Sequence, residues 1–389
     1  MSKITGIFTK KRLLWFVAYI LFPLLSLELA GRFYLTHVLH KSTEQKFRFN
    51  SYRIYEHVPG FKEGDGKRNW IEINGQGFRR STETSLVKPK NTYRIFFMGG
   101  SAAHGISSAA PYPIAHIYQN ETVDAQLEKL LKQKHPEINF EVINAAVTGY
   151  ETFQHTAYIL SELLNYDPDL VIFFDGTNDH FINNPLYDPY KDKEYKFWEK
   201  RLQQPSASGG FDYFMLWISK FSAFGKAYMS WKMQQDAINY FPRQSPVLNY
   251  DSEKTLVINH QYIAKRTFLR SIETNIHILK NNNIPCIISL QPILVLRNDE
   301  MLSAEEKKWV TEDLNTQKLY PHVLDQLKTI CKKNSTTFTD INPYFNSKEL
   351  KGQQLFIDYC HLSAKGSEMA ALHLFNSVDS LYSCRNSKR

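Results

Sequence analysis

An α/β fold in which a parallel sheet carries helices on both faces is predicted by two features of this 389-residue chain. Short apolar runs alternate with segments of helical period, the rhythm of repeated strand–helix–strand crossovers. The runs are also rich in aromatic and β-branched residues with little polar alternation, as strands buried on both faces must be.

Taken in order, the first of these strands is 93–98 (YRIFFM), which breaks at Gly99-Gly100 into small residues around Ser101. Glycine there allows backbone angles that a side chain forbids, and the serine is left at the carboxyl edge of the sheet, where open α/β folds take their ligands. A helix is expected over 121–134, with Val123, Leu127, Leu130 and Leu131 at helical spacing. The strand 140–143 then runs into Asn144-Ala145-Ala146-Val147-Thr148-Gly149-Tyr150, and a second helix is expected over 152–166. The strand 170–174 ends in Gly176-Thr177-Asn178-Asp179. Further on, helices are expected over 271–281, 305–332 and 364–381, with strands at 284–290 and 336–341 between them. Three strands thus end in small or polar turns, and Asp358-Tyr359-Cys360-His361 follows near the end of the chain.

These four blocks, in this order from Tyr93 to Gly366, resemble the SGNH hydrolases, also called the GDSL esterase/lipase family. The resemblance covers about 70% of the chain and implies a three-layer α/β/α, flavodoxin-like fold. The residue types make chemical sense together. A serine hydroxyl is a poor nucleophile at neutral pH and needs a base; His361 can serve Ser101, and Asp358, three residues earlier, can hold the imidazole in one tautomer. The resemblance further implies an oxyanion hole made of the backbone N–H groups of Ser101 and Gly149 and the side-chain amide of Asn178. His104, three residues after Ser101, is an alternative base, although a role as helix cap or pocket wall suits its place in the turn better. No metal or organic cofactor is implied, and the four cysteines show no metal-ligand spacing.

Two departures stand out. The family's first block usually reads Gly-Asp-Ser, whereas Gly99-Gly100-Ser101 lacks that carboxylate. The Gly-x-Ser-x-Gly elbow of α/β-hydrolases also fails, because Ala103 stands where its last glycine belongs.

The formal charge of +8 suggests nucleic acid until it is located. Seven charges lie in acid-free tails (Lys3, Lys10, Lys11 and Arg12; Arg385, Lys388 and Arg389), which leaves the span 13–384 at +1 and argues against a nucleic-acid face. The run 13–30 (LLWFVAYILFPLLSLELA) follows the first basic cluster directly. At 1.5 Å per residue it reaches about 27 Å, enough to cross a hydrocarbon core. With its basic flank held in the cytoplasm, it reads as a signal anchor, residues 1–12 being the cytoplasmic tail and the rest exported. A cleaved signal peptide is the alternative, disfavoured by Glu28 two residues before Ala30. Glu28 itself is expected at the far membrane interface or facing a partner helix.

Residues 31–90 read as an extended lead-in packed on the main domain, with strands at 47–55 and 70–78. Its Asn74-Gly75-Gln76-Gly77-Phe78-Arg79 looks like the lead-in of membrane-anchored members of the same family. The main domain is expected over 91–384, followed by a basic tail at 385–389. The aromatic-rich interval 181–262 interrupts its rhythm, either as a helical cap over the substrate or on the membrane, or as an insertion with its own core. The function implied by the resemblance is cleavage of acyl or acetyl esters of a glycan, envelope polymer or lipid, outside the cytoplasm, through an acyl-enzyme on Ser101. An O-acyltransferase with the same triad and a silent scaffold are the rivals.

Overall fold

Five parallel strands form the expected sheet: β1 (Thr92–Gly99), β2 (Asn139–Asn144), β3 (Leu170–Asp175), β4 (Cys286–Leu290) and β5 (Thr337–Asp340), in the order β2-β1-β3-β4-β5. The computed structural model describes residues 15–38, 46–64, 67–106, 115–181, 210–240, 268–310 and 314–386. Most of the expected insertion, and the tails at 1–12 and 387–389, lie outside the described residues. The chain separates into one unit of Met1–Phe49 and Pro189–Val247 and another of Asn50–Asp188 and Leu248–Arg389. The division falls inside the lead-in, so that only its residues from Asn50 onward belong with the sheet.

The register decides where the site can be. Phe97 lies opposite Asn144 of β2, and Gly99 opposite Phe174 of β3, so three strand ends stand side by side. The chain leaves β1 for β2 on one side and returns to β3 on the other, which opens a crevice at the carboxyl edge. Among the described residues, five helices cover the sheet: α1 (Val123–Lys134), α2 (Thr152–Ser161), α3 (Phe268–Asn281), α4 (Leu314–Lys333) and α5 (Ala364–Asn386). Side chains alternate across β1. Tyr93, Ile95 and Phe97 join a core with Leu127 and Leu131 of α1 and Leu374 and Val378 of α5. Phe96 points the other way, against Phe78 and Tyr166, on the face where His155 of α2 meets Phe173.

Four expected elements come out differently, the first being the helix 152–166, which ends at Ser161 and is followed by a 3-10 turn, Leu163–Tyr166. The strand 47–55 is two strands, Phe47–Asn50 and Ile54–His57, because the Asn50 side chain accepts the N–H groups of Tyr52 and Arg53 and turns the chain. The strand 70–78 stops at Glu72, since Asn74 Oδ1 accepts the N–H groups of Gln76 and Phe78 and closes a turn completed by Gly77 at φ +87°. The helix 305–332 is a short 3-10 turn, Glu306–Lys308, followed by α4 from Leu314. The Glu306 carboxylate is spent elsewhere: it accepts Arg297 Nη1 at 2.6 Å and the N–H groups of Ser303, Leu355 and Phe356 at 2.9 to 3.1 Å. This buried ion pair holds the start of the loop that carries Asp358 and His361.

Arg79, at the end of the lead-in motif, is fully buried. Its guanidinium donates to the carbonyls of Trp70, His104, Gly105 and Ile117, and its N–H bonds Asn144 O at 2.9 Å. The motif is therefore a clamp on the segment that follows Ser101. Burial pulls the Arg79 pKa down to about 10 against the opposing pull of Asp124. Lysine cannot reproduce the planar fork. Arg79→Lys should cost on the order of 3 kcal/mol in urea unfolding, because several buried carbonyls lose a charged donor. A loss below about 0.5 kcal/mol would show that the clamp is idle.

In the other unit, residues 15–38 are helical throughout the described stretch, as a π-helical Val17–Leu21, an α-helical Phe22–Phe33 and a π-helical Tyr34–Val38. Among the described residues no helix is long and apolar enough to cross a membrane. Two further helices, Gly210–Ser219 and Ala223–Tyr240, form a hairpin. Glu28 turns toward it and accepts Ser222 Oγ at 2.7 Å and the N–H groups of Ala223 and Phe224. Glu28 thus faces a partner helix, one of its two expected places.

Candidate active site

Ser101 opens a single helical turn, Ser101–His104, directly after β1. The turn closes at Gly105, whose φ of +76° is left-handed and suits glycine. Asp358 and His361 arrive from the loop before α5, pinned at Leu355 and Phe356 by Glu306. The two segments, 260 residues apart in sequence, meet: the Ser101 hydroxyl donates to His361 Nε2 at 2.7 Å. His361 Nδ1–H in turn donates to Asp358 Oδ2 at 2.6 Å. Asp358 Oδ1 accepts the N–H groups of Cys360 at 2.9 Å and His361 at 2.7 Å, so the carboxylate also shapes the turn that presents the ring.

Protonation follows from these contacts. Burial disfavours charge on Asp358, but the His361 ring and the two N–H donors outweigh it and hold the carboxyl below its ordinary value. For His361, burial again opposes charge. The Cys360 sulfur and the Asp358 carboxylate outweigh it and raise the imidazole above its ordinary value. With Nδ1 protonated toward Asp358, Nε2 is left to take a proton from Ser101.

The other two turns close the site. Gly149, at φ +83°, follows β2 in the left-handed region that glycine favours. Asn178 follows β3, and its amide donates to Tyr150 O at 2.8 Å, next to Gly149. Gly100 lies between: a Cβ there would collide with Asn178 Nδ2 and come within 3.3 Å of Tyr150 O. A side chain at 100 would therefore require the Asn178 amide to shift. Gly100→Ala should lower kcat on a model ester on the order of 10²-fold, the scale of one lost oxyanion donor, with an unchanged circular dichroism spectrum. Activity within about twofold of the parent would mean that Asn178 does not serve there.

Behind the site lies a polar cluster that the sequence did not assemble. Asp179 accepts the Thr152 N–H at 3.1 Å and hydroxyl at 2.7 Å, which ties the Asn178 turn to the start of α2. Burial and the neighbouring Asp175 push the Asp179 carboxyl up to about 7. His155 is fully buried with Nδ1 3.1 Å from Asp175 Oδ2; burial works against its charge, but Asp175 and Asp179 raise its pKa. No local pattern marks His155, which sits on an ordinary helical face.

The alternative base is placed elsewhere. His104 is buried and its ring lies against that of His57, 4.6 Å between centroids. Cys360 Sγ approaches the His361 ring nitrogens at 3.8 and 3.9 Å. Asp358, Cys360 and His361 are the one group among the described residues with three metal-ligating atoms within 4.8 Å of one another. Both His361 nitrogens are already engaged, by Asp358 and Ser101, so a metal there would compete with the hydrogen-bonded chain.

No protein-family model and no curated protein matches this chain. Among solved structures it is similar to an acetylxylan esterase from Geobacillus stearothermophilus, at 14% identity over 73% of this chain and 93% of that one, with a TM-score of 0.41. It is also similar to the acetyl xylan esterase AlAXEase, at 14% identity over 73% of this chain and 99% of that one, with a TM-score of 0.40. A putative acylhydrolase from Bacteroides fragilis NCTC 9343 shares 13% identity over 76% of this chain and 92% of that one, with a TM-score of 0.38. At this level of likeness the chemistry rests on the side-chain geometry alone.

Proposed function

We propose that this chain is a serine esterase of SGNH type that cleaves acyl or acetyl esters through an acyl-enzyme on Ser101. The observation that carries the reading is the unbroken line from Asp358 Oδ2 through the His361 ring to Ser101 Oγ, with bonds of 2.6 and 2.7 Å. Ser101 Oγ attacks the ester carbonyl while His361 Nε2 takes its proton. The oxyanion forms against the N–H groups of Ser101 and Gly149 and the Asn178 amide. Collapse breaks the bond to the alcohol, which leaves with the proton from His361; water then repeats the sequence and releases the acid. Asp358 holds the tautomer throughout. This chemistry asks for no metal or organic cofactor.

The place of action belongs to the same reading. Residues 13–30, with Lys10, Lys11 and Arg12 before them, act as an uncleaved anchor, and the 91–384 domain works on the non-cytoplasmic side. The exposed Trp15, Phe16, Leu24 and Leu25 support it. Esters of glycans, envelope polymers or lipids are the substrates at hand there. Treating the purified chain with a fluorophosphonate and mapping the adduct tests the reading. A label on Ser101 that vanishes in His361→Ala is expected, whereas a folded chain without a label would favour a silent scaffold. Product analysis with a glycan acceptor then decides whether water or a sugar hydroxyl takes the acyl group.

A further inference from the structure

In the described part of the other unit, one helix turns a charged side chain inward and its aromatic rings outward. In Gly210–Ser219 the side chains turned inward are Asp212 and Met215, only 6% and 2% exposed. Phe211, Phe214 and Trp217, three residues apart on the other face, and Phe221 in the following turn are 51% to 64% exposed. Within the hairpin, Asp212 accepts Tyr228 Oη at 2.9 Å and pairs with Lys232 Nζ at 2.5 Å. A hairpin bathed in water buries its aromatic rings and leaves its ion pairs outside. Charges turned inward and paired, with aromatic rings outward, are the arrangement demanded by a lipid environment.

Two further observations say which environment covers this face. The aromatic face belongs to the same unit as the exposed apolar side chains of residues 15–33, including Trp15, Ile20, Phe22, Leu24 and Phe33. Glu28, the one acid of that apolar run, is half-buried, bonded at the hairpin turn and paired with the exposed Arg32. Contact there is close: a Cβ on Gly31 would stand 2.5 Å from the Phe224 backbone. Beyond it, Leu35 shares a cluster with Ala223 and Ala227. The hairpin turn therefore meets the helix near the end of the apolar run, and the Ala223–Tyr240 helix continues toward the segment after it.

We propose that the hairpin of Gly210–Ser219 and Ala223–Tyr240 is a second membrane element, which dips its aromatic turn into the lipid interface beside the anchor. It rests on the anchor reading above, and commits to a lipid bilayer as the partner. The Asp212–Lys232 pair and the Glu28 contacts stay inside the unit, out of the lipid. Phe211, Phe214, Trp217 and Phe221 face the acyl chains at the headgroup boundary.

The test uses the full chain in phosphatidylcholine/phosphatidylglycerol vesicles with brominated acyl chains, compared with Trp15→Phe and Trp217→Phe. Brominated chains quench tryptophan only where the two touch. Each substitution should remove a bromine-quenchable share of the emission, and the share due to Trp217 should be insensitive to aqueous acrylamide. If Trp15 is quenched and Trp217 is instead reached by acrylamide, the hairpin stands in water and the proposal is overturned while the anchor remains. Trp217 shielded from both quenchers would mean that protein, such as a second copy, covers the face, which also overturns it. If neither residue meets bromine, anchor and hairpin fall together.

Discussion

Ser101→Ala should lower kcat/KM on an activated acetyl ester on the order of 10⁴- to 10⁶-fold while the unfolding transition stays where it was. The alanine removes one hydroxyl and leaves the polar turns around it in place. What remains is the hydrolysis supported by the oxyanion donors alone. Ser101 and His361 act through one hydrogen bond of 2.7 Å, so removing both should cost little more than removing either. A double variant Ser101→Ala/His361→Ala that loses the product of the two single effects would mean that the residues work independently. The proposed acyl-enzyme would then be wrong.

Asp358→Asn carries the second large effect, on the order of 10⁴-fold in kcat, because the amide no longer selects the tautomer with Nδ1 protonated. Its pH dependence is the sharper test. His361 accepts the Ser101 proton only when neutral. Burial favours that neutral form, but the Cys360 sulfur and the Asp358 carboxylate outweigh it and raise the imidazole pKa. The neutral fraction therefore grows with rising pH, and the acid limb of kcat/KM in the parent should lie above the ordinary imidazole value of about 6.5. Losing the carboxylate removes part of the attraction, so the limb of the weak residual activity should move toward acid. A parent limb at or below about 6.5 would contradict the assigned environment of His361.

Much of this molecule can be read from local pattern. The strand at 93–98 is a near-continuous apolar run, and a strand buried on both faces announces itself that way whatever lies beside it. The helix at 121–134 shows its buried stripe through Val123, Leu127 and Leu131 for the same reason. Reading fails where one side chain changes the course of the backbone. Asn50 and Asn74 end strands by accepting N–H groups, and Glu306 breaks a helical period because four donors from elsewhere converge on it.

The amino-acid order alone shows the residue types of the candidate site, Ser101, Gly149, Asn178, Asp358 and His361, and the strands that end before three of them. That was possible because each turn chemistry is written in a few neighbouring residues. Contacts in three dimensions were needed to show that His361 rather than His104 reaches Ser101, and that a side chain on Gly100 would meet the Asn178 amide. The same holds for Arg79 clamping the segment after Ser101, and for Asp212 facing inward while Trp217 faces out. These outcomes depend on strand register and on contacts between residues tens to hundreds of positions apart, and no local spacing encodes distances of that kind.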